Sequence, residues 1–304
     1  GNIYKRSKGR AFVLRNKSMK LWKEWLTQIQ YSESNFIFEQ PLIKLASSEK
    51  EYQSMIELIK NKKQYGIELL DKNSLDFWNS IFETELIGGL ISHEDGRLNP
   101  IELTKALMHS LNQLEINKIE NNVIQISKNK SQHAKRWNII LQDNQSIDQD
   151  HIVICSALNT QNLLESLGHK IFLEPILGQV VELELENKTM NWEKWPGILN
   201  YQSINFIHHS PNHLLIGATV ENGTKPSLLK KQEMLNMNNT APKWMTEGKV
   251  MHEWNGVRAR PINEPAPLLK ELDAGLLINT GHYRNGILLA PACSEWIGLK
   301  IENQ

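Results

Sequence analysis

The chain has 304 residues, enough for one large domain or two ordinary ones around a substantial core. Lys plus Arg balance Asp plus Glu at 34 each, which argues against electrostatic capture of nucleic acid or of an anionic membrane. Cys155 and Cys293 sit in apolar stretches without a CxxC partner, so neither a structural disulfide nor a metal site is expected and a reducing compartment fits. No apolar run approaches the ~20 residues of a membrane helix, and no signal peptide is visible, so the expectation is a soluble, cytoplasmic protein without a transmembrane segment. The sequence starts on Gly1-Asn2-Ile3 rather than Met, which reads as removal of a leader or as part of something longer.

In chain order, Leu21, Trp22, Trp25, Leu26 and Ile29 form a helical stripe over 16–30, with Lys and Glu on the other face. Two Trp on one helix face indicate a core contact before they indicate a cofactor box. Phe36-Ile37-Phe38 and Leu42-Ile43-Lys44-Leu45 read as a strand pair turned near Pro41, and helices follow at 48–63 and 73–82. Asp95-Gly96 marks a turn between the apolar run 86–91 and Leu98. Asn99-Pro100 supplies an N-cap and an N1 proline to an amphipathic helix carrying Leu103, Leu107, Met108, Leu111 and Leu114. Val123–Ser127 and Trp137–Leu141 read as strands joined by a polar hairpin. The short apolar run 150–157 fits a strand buried on both faces, and a helix over 159–167 ends at Gly168.

From 171 to 220 the pattern alternates. Gln179–Leu185, 204–208 and 214–220 predict half-exposed antiparallel strands, the last two turned at Pro211-Asn212. His208, His209 and His213 invite a metal reading, but in a hairpin without an acidic partner at ligand spacing they read as satisfied surface histidines. Polar helices near 226–247 lead to Trp254–Pro261 and a Pro-rich connection. Gly275–Ile278 reads as a buried strand, and Gly281 to Pro291 as a glycine-bracketed turn entering a helix. The organisation is α/β (α+β mixed), with α/β parts at both ends and an antiparallel part between them. That pattern describes a discontinuous domain with an inserted second one.

Two arginines stand in apolar, glycine-flanked settings, Arg258 and Arg284. A buried guanidinium needs a carboxylate or phosphate partner, and it offers two parallel donors to a carboxylate. For any single arginine, an internal salt bridge to one of the 34 acidic residues is the commoner outcome. Glycines at a strand-to-helix passage let backbone N–H groups approach a ligand, and a helix N-terminus favours negative charge there. No Ser/His/Asp pattern, Walker loop, HExxH or kinase set is found, so no catalytic side chain is singled out. Anion clamps without acid–base machinery point to a cofactor that carries the chemistry.

The run Gly281-His282-Tyr283-Arg284-Asn285-Gly286-Ile287-Leu288-Leu289-Ala290-Pro291 resembles the C-terminal signature of the glycine/D-amino-acid oxidase (DAO) family of FAD-dependent amine oxidases, most of all that of bacterial glycine oxidases. Trp254–Pro261 resembles the family's Trp-x-Gly-x-Arg block, and Gly217-Ala218-Thr219 with Glu221 its Gly-Ala-Thr strand. Pro175–Gln179 and the strand ending at Ala157 resemble the middle of the fold, and Gly88-Gly89 through Pro100 the entry to a family helix. The similarity spans nearly the whole chain. It implies a Rossmann-like FAD-binding domain over 1–34, 98–168 and 275–304, and an interposed antiparallel-sheet substrate-binding domain over 35–97 and 169–274. It implies that Arg258 holds the substrate carboxylate and orients the Cα–H toward flavin N5, with Arg284 beside substrate and flavin. His282, Tyr283, Arg284, Asn285, Gly286, Ile287 and Leu288 are then expected to contact the cofactor, with the helix dipole favouring the charge that reduced flavin gathers. Val123 matches the position whose backbone meets the adenosine part.

The sequence also departs from the family pattern. The first strand with GxGxxG and the acidic ribose-binding residue would lie before Gly1, about forty to fifty residues in all. Without them, weak FAD retention and a parallel sheet lacking its central strand are expected. In the substrate hairpin, where glycine oxidases place a tyrosine, a turn one residue shorter puts Phe206. Val220 follows the Gly-Ala-Thr where a methionine is usual. These substitutions leave glycine undistinguished among small amino acids.

The implied function is FAD-dependent oxidation of a small amino acid (glycine, sarcosine or a D-amino acid) to an imine that hydrolyses to an oxo acid, with O2 reduced to H2O2. Thiamine biosynthesis is a pathway such enzymes often serve, and homo-oligomers are frequent among them. Two alternatives stay open: a same-fold dehydrogenase using an acceptor other than O2, and a non-catalytic truncated flavoprotein fragment.

Overall fold

A computed structural model of the chain describes residues 1–4, 8–29, 37–130, 135–186 and 190–303. Helix α1 (Arg10–Gln28) starts earlier than its apolar stripe, after Gly9 at φ 86°. Trp22 and Trp25 meet edge to face at 5.9 Å, and with Leu26 and Ile29 they pack on Leu103. Strands β1 (Phe38–Glu39) and β2 (Leu42–Leu45) flank Pro41; Phe36, expected at the head of this pair, lies outside the described residues. Helix α2 (Glu49–Lys62) opens on an N-cap serine. Ser48 accepts the Glu51 N–H, and the Glu51 carboxylate accepts the Ser47 N–H at 3.0 Å. After β3 (Ile67–Leu69), Asp71 caps α3 (Lys72–Phe82) by accepting the Ser74 N–H at 2.7 Å. Strands β4 (Gly89–Ser92) and β5 (Arg97–Leu98) follow, then α4 (Pro100–Gln113) with Asn99 accepting the Ile101 N–H as expected.

The expected hairpin of β1 with β2 does not form. β1 pairs instead with β5, in the register Phe38 to Leu98, and β2 pairs with β4, Ile43 opposite Ile91. The two segments around Pro41 diverge into different sheets because their partners lie some fifty residues away, beyond the reach of a local pattern.

Strands β6 (Val123–Lys128), β7 (Trp137–Leu141) and β8 (Ser146–Gln149) form a three-stranded antiparallel sheet. β8 is largely exposed and has one apolar residue, so hydrophobic alternation gives it no signal. β9 (Ile152–Ile154) is shorter than its apolar run, and α5 (Thr160–Glu165) ends at Gly168 with φ 76°. There Gly168 N–H donates to the Glu165 carbonyl at 3.0 Å and His169 N–H to the Leu164 carbonyl at 3.3 Å, closing the helix as a glycine C-cap does.

The remaining strands are β10 (Leu173–Glu184), β11 (Ile198–Tyr201), β12 (Ile204–Ser210), β13 (His213–Gly217), β14 (Glu221–Asn222), β15 (Lys249–Pro261), β16 (Leu268–Asp273) and β17 (Leu276–Thr280). Helices α6 (Leu228–Asn236) and α7 (Lys243–Glu247) precede β15, and α8 (Gly286–Glu302) ends the chain's described part. A nine-stranded sheet runs β14-β10-β13-β12-β11-β2-β4-β3, with β15 along β10. One face of it carries Ile43, Val181, Leu183, Leu199, Phe206, Leu214 and Ile216, which close on Trp78, Phe82, Met234 and Trp244 from the helices. This is the main core.

β10 was expected to be half exposed, yet most of its residues are buried, because it is flanked by β13 and β15. Its polar side chains are satisfied inside: Gln179 Nε2 donates to Glu221 at 2.7 Å, and Glu182 pairs with His213 Nδ1 at 2.7 Å. His213 therefore has an acidic partner across the strands, while His208 stacks on Trp192 at 4.3 Å.

β17 pairs parallel with β9 and antiparallel with β16, a mixed sheet covered by α5 on its core side. β16 thus joins β17 although it lies within the stretch 169–274 assigned to the substrate-binding part. Helix α8 packs on α1 and this sheet through Leu14, Leu269, Leu289, Ala292 and Cys293. Pro291 lies inside α8 and has no N–H for the carbonyl of Ile287. Trp22 Nε1 supplies the missing donor at 3.0 Å, and Ser18 Oγ accepts the Ala292 N–H at 3.2 Å. No helix among the described residues is long and apolar enough to cross a membrane.

Candidate functional site: an anion receptor at the start of α8

The loop from β17 into α8 is held against the end of β15. Gly281 has φ 64°, and a Cβ there would lie 2.8 Å from Pro261 Cγ, so the position suits glycine on two counts. Tyr283 also takes a left-handed backbone, φ 55°, and its N–H donates to the Ala259 carbonyl at 3.2 Å. Arg260, ion-paired with Glu174 at 2.6 Å, lies 5.7 Å over the Tyr283 ring. The loop is thereby fixed on the strand that carries Arg258.

Arg258 points over Gly178, where a Cβ would fall 2.2 Å from Nη2. Its Nη1 is buried and has no hydrogen-bond partner. Burial, then the nearby charge of Arg284, pushes the Arg258 guanidinium below its ordinary value, against a smaller pull from Tyr283. Among the described residues neither Arg258 nor Arg284 makes an ion pair. Two guanidiniums close enough to repel, one with an orphaned donor, have the chemistry that suits an anion from outside the chain.

Paired residues of antiparallel strands point to the same side of a sheet. In the observed register Arg258 opposes Ile176 and Trp254 opposes Val180; Val180 opposes Gly217, and Gly217 opposes Asn205. Arg258, Gly178, Gly256, Trp254, Val180, Gly217 and Asn205 therefore share one face. Phe206 does not. It opposes Ile216 and Leu199 on the other face, is fully buried, and meets Phe82 edge to face at 5.5 Å. The one-residue shift assumed for the hairpin turns that side chain into the core, and Asn205 takes the place expected of Phe206. The cause is an irregularity of pairing between His208 and Ser210, a bulge that shifts the register by one and sets Asn205 rather than Phe206 opposite Gly217. Val220, 47 % exposed, lies between β13 and β14.

Beyond the arginines, His282 is half-buried and burial holds its imidazole below the ordinary value. The first intrahelical bond of α8 runs from Leu289 N–H to the Asn285 carbonyl at 2.9 Å. The N–H groups of Gly286, Ile287 and Leu288 precede it, and among the described residues no side chain or carbonyl accepts them. The loop thus brings His282, Tyr283, Arg284, Asn285 and this open helix N-terminus together with Arg258. Val123 stands apart, at the start of β6 beside the core under β9 and β17.

Residues 2–298 match the family model described as FAD dependent oxidoreductase, DAO. The chain belongs to the DAO family. A curated relative, glycine oxidase of Pseudomonas putida, is 26% identical over 154 residues, 48% of this chain and 40% of the relative. The alignment thus reaches less than half of that protein's length. Among solved structures, glycine oxidase from Bacillus cereus superposes with a TM-score of 0.82 at 20% identity, covering 98% of this chain and 83% of that one. Glycine oxidase from Geobacillus kaustophilus gives 0.83, also at 20% identity, over 98% and 81%. At that identity the likeness shows the fold: a Rossmann-like FAD-binding part and an antiparallel sheet. FAD is the cofactor of this DAO-family chain, and the residues described fit its flavin end. An uncapped helix start and paired guanidiniums suit an electron-rich ring edge, and the space over Gly256, on the Arg258 face, is open.

Proposed function

We propose that this glycine-oxidase-like FAD-dependent oxidoreductase oxidises a small amino acid to its imine, which hydrolyses to the oxo acid, with O2 reduced to H2O2. The observation that carries the reading is the buried, unpartnered Nη1 of Arg258 beside Arg284. When bound, FAD supplies the two-electron acceptor. Arg258 takes the substrate carboxylate through two parallel donors and fixes its orientation, and Arg284 adds charge at the same anion. The carboxylate also relieves the repulsion between the two cations. Trp254 and Asn205 border the substrate on the shared face, so the substrate's side chain meets an indole and a carboxamide. The N–H groups of Gly286, Ile287 and Leu288 would hold the negative end of the cofactor.

The test is a peroxide assay of the FAD-loaded protein with glycine, sarcosine and D-amino acids, run beside a dye acceptor. Peroxide from one of them, with Arg258→Ala raising KM and lowering kcat/KM, supports the reading. Turnover with dye alone makes the protein a dehydrogenase, and a yellow protein inert with every substrate and acceptor overturns the proposal.

A further inference from the structure

The carboxamide of Asn205, on the sheet face shared with Arg258, has a fixed orientation. Asn200 Nδ2 donates to the Ile204 carbonyl at 3.2 Å and to Asn205 Oδ1 at 2.8 Å. A backbone carbonyl only accepts, so Asn200 presents its amide nitrogen and Asn205 answers with its oxygen. The two Nδ2 hydrogens of Asn205 are left on the side away from Asn200, and among the described residues nothing accepts them. Between Arg258 and Asn205 the same face carries Gly178, Gly256, Trp254, Val180 and Gly217, none of them charged. A Cβ on Gly217 would fall 2.9 Å from Val180 Cγ2, so a valine methyl, not a β13 side chain, floors this space. Glu182, farther along β10 on that face, is already held by His213 at 2.7 Å.

We propose that Asn205 is a specificity-determining residue that selects amino acids carrying a second carboxylate: Arg258 holds the α-carboxylate and the Asn205 amide hydrogens hold the distal one. The inference rests on the functional reading above, since it takes Arg258 to bind the substrate. The register sets the span. Asn205 is two strands from β10, and its row meets β10 at Val180, two residues beyond Gly178, over which the Arg258 guanidinium lies. At ~4.8 Å per strand and ~3.3 Å per residue, the Cα atoms of Asn205 and Gly178 are roughly 12 Å apart. A five-carbon acidic amino acid, built of C–C bonds of ~1.5 Å and with a hydrogen bond of ~2.8 Å at each end, bridges about that distance. Glycine or alanine on Arg258 leaves the Asn205 hydrogens unreached. Charge favours the same class. Arg258 and Arg284 make no ion pair among the described residues, so one α-carboxylate offsets one of the two cations and a diacid matches both in net charge.

The test compares acids with neutral amino acids of equal length on the FAD-loaded protein: glutamate against norvaline and aspartate against 2-aminobutyrate, each as both enantiomers. In the wild type, kcat/KM for the better glutamate enantiomer should exceed that for norvaline by about tenfold or more, the scale of a hydrogen bond to a charged group. Asn205→Asp keeps an oxygen for Asn200 and replaces the free donor by an acceptor, so the glutamate-to-norvaline ratio should fall roughly ten- to a hundredfold. Binding without turnover gives a second readout, independent of how the variant folds. Calorimetry on the wild type should find glutarate at least about tenfold tighter than pentanoate. Norvaline preferred to both glutamate enantiomers, a ratio unmoved by Asn205→Asp, or equal Kd values for glutarate and pentanoate each overturn the proposal. If neutral amino acids are oxidised and acidic ones are not, the specificity fails and the functional reading stands. If neither class is oxidised, both fail together.

Discussion

The guanidinium of Arg258 lies directly over Gly178, in space that any Cβ at that position would fill: the added carbon would fall 2.2 Å from Nη2 and 2.3 Å from Nη1. Gly178 therefore makes the place for the guanidinium without offering a functional group of its own. Gly178→Ala moves the far end of a flexible side chain and leaves the backbone in place, so the fold survives while the donors are displaced. We expect KM for the amino acid to rise by about tenfold to a hundredfold with the Tm within a few degrees of wild type. Steady-state kinetics beside thermal melts check it, and an unchanged KM would mean that Arg258 does not hold the substrate.

The fold of Trp22 onto Ile287 yields a second prediction. Pro291 leaves the Ile287 carbonyl without an intrahelical donor, and the indole N–H of Trp22 takes its place at 3.0 Å. Trp22→Phe keeps most of the buried ring and strands the carbonyl, at an expected loss of about 1–3 kcal/mol in unfolding free energy. Pro291→Ala restores a backbone N–H that can reach the same oxygen. In that background Trp22→Phe should be milder, and a double-mutant cycle in urea reads the difference. Strict additivity of the two changes would refute the shared acceptor.

Much of this architecture was legible locally. The capping residues Asn99 and Gly168 sit where the sequence pattern put them, and the Gly281–Gly286 loop announces itself by its glycines and by Arg284. What escaped was long-range. β1 finds β5 some sixty residues later, a choice no window around Pro41 contains. β10 alternates like a half-exposed strand because Gln179 and Glu182 are polar, but Glu221 and His213 satisfy them in the interior. Asn205 was passed over for Phe206 because the bulge between His208 and Ser210 shifts the register by one, which exchanges the two faces of a strand.

Acid should destabilise the protein before its carboxylates titrate. Burial lowers His282 and also His208, the latter with smaller effects from its neighbours, including Arg97. A histidine whose folded value is depressed binds protons more readily when unfolded. Its contribution to stability is complete above the unfolded value, about 6.5, and is lost as the pH falls from there toward the folded value. The Tm should therefore decline between about pH 7 and 5. His208→Gln should flatten part of that decline, leaving the part due to His282. A Tm independent of pH over this window, or the same slope in the variant, would remove the buried histidines as its cause.

Asn205 and Phe206 are adjacent in β12 and face opposite ways, so the two substitutions should separate binding from stability. Phe206 is fully buried against Phe82 and Trp244, and Phe206→Ala should cost about 3–5 kcal/mol. Asn205 is half-buried on the Arg258 face, and its Oδ1 accepts from Asn200 Nδ2 at 2.8 Å, which leaves its own amide hydrogens for a ligand. Asn205→Ala should change stability by no more than about 1 kcal/mol while shifting KM and the order of preference among amino acids. The decisive comparison is KM at matched folded fraction. If Phe206→Ala alters substrate preference while staying folded, and Asn205→Ala does not, then the hairpin presents Phe206 to the substrate and the register argument fails.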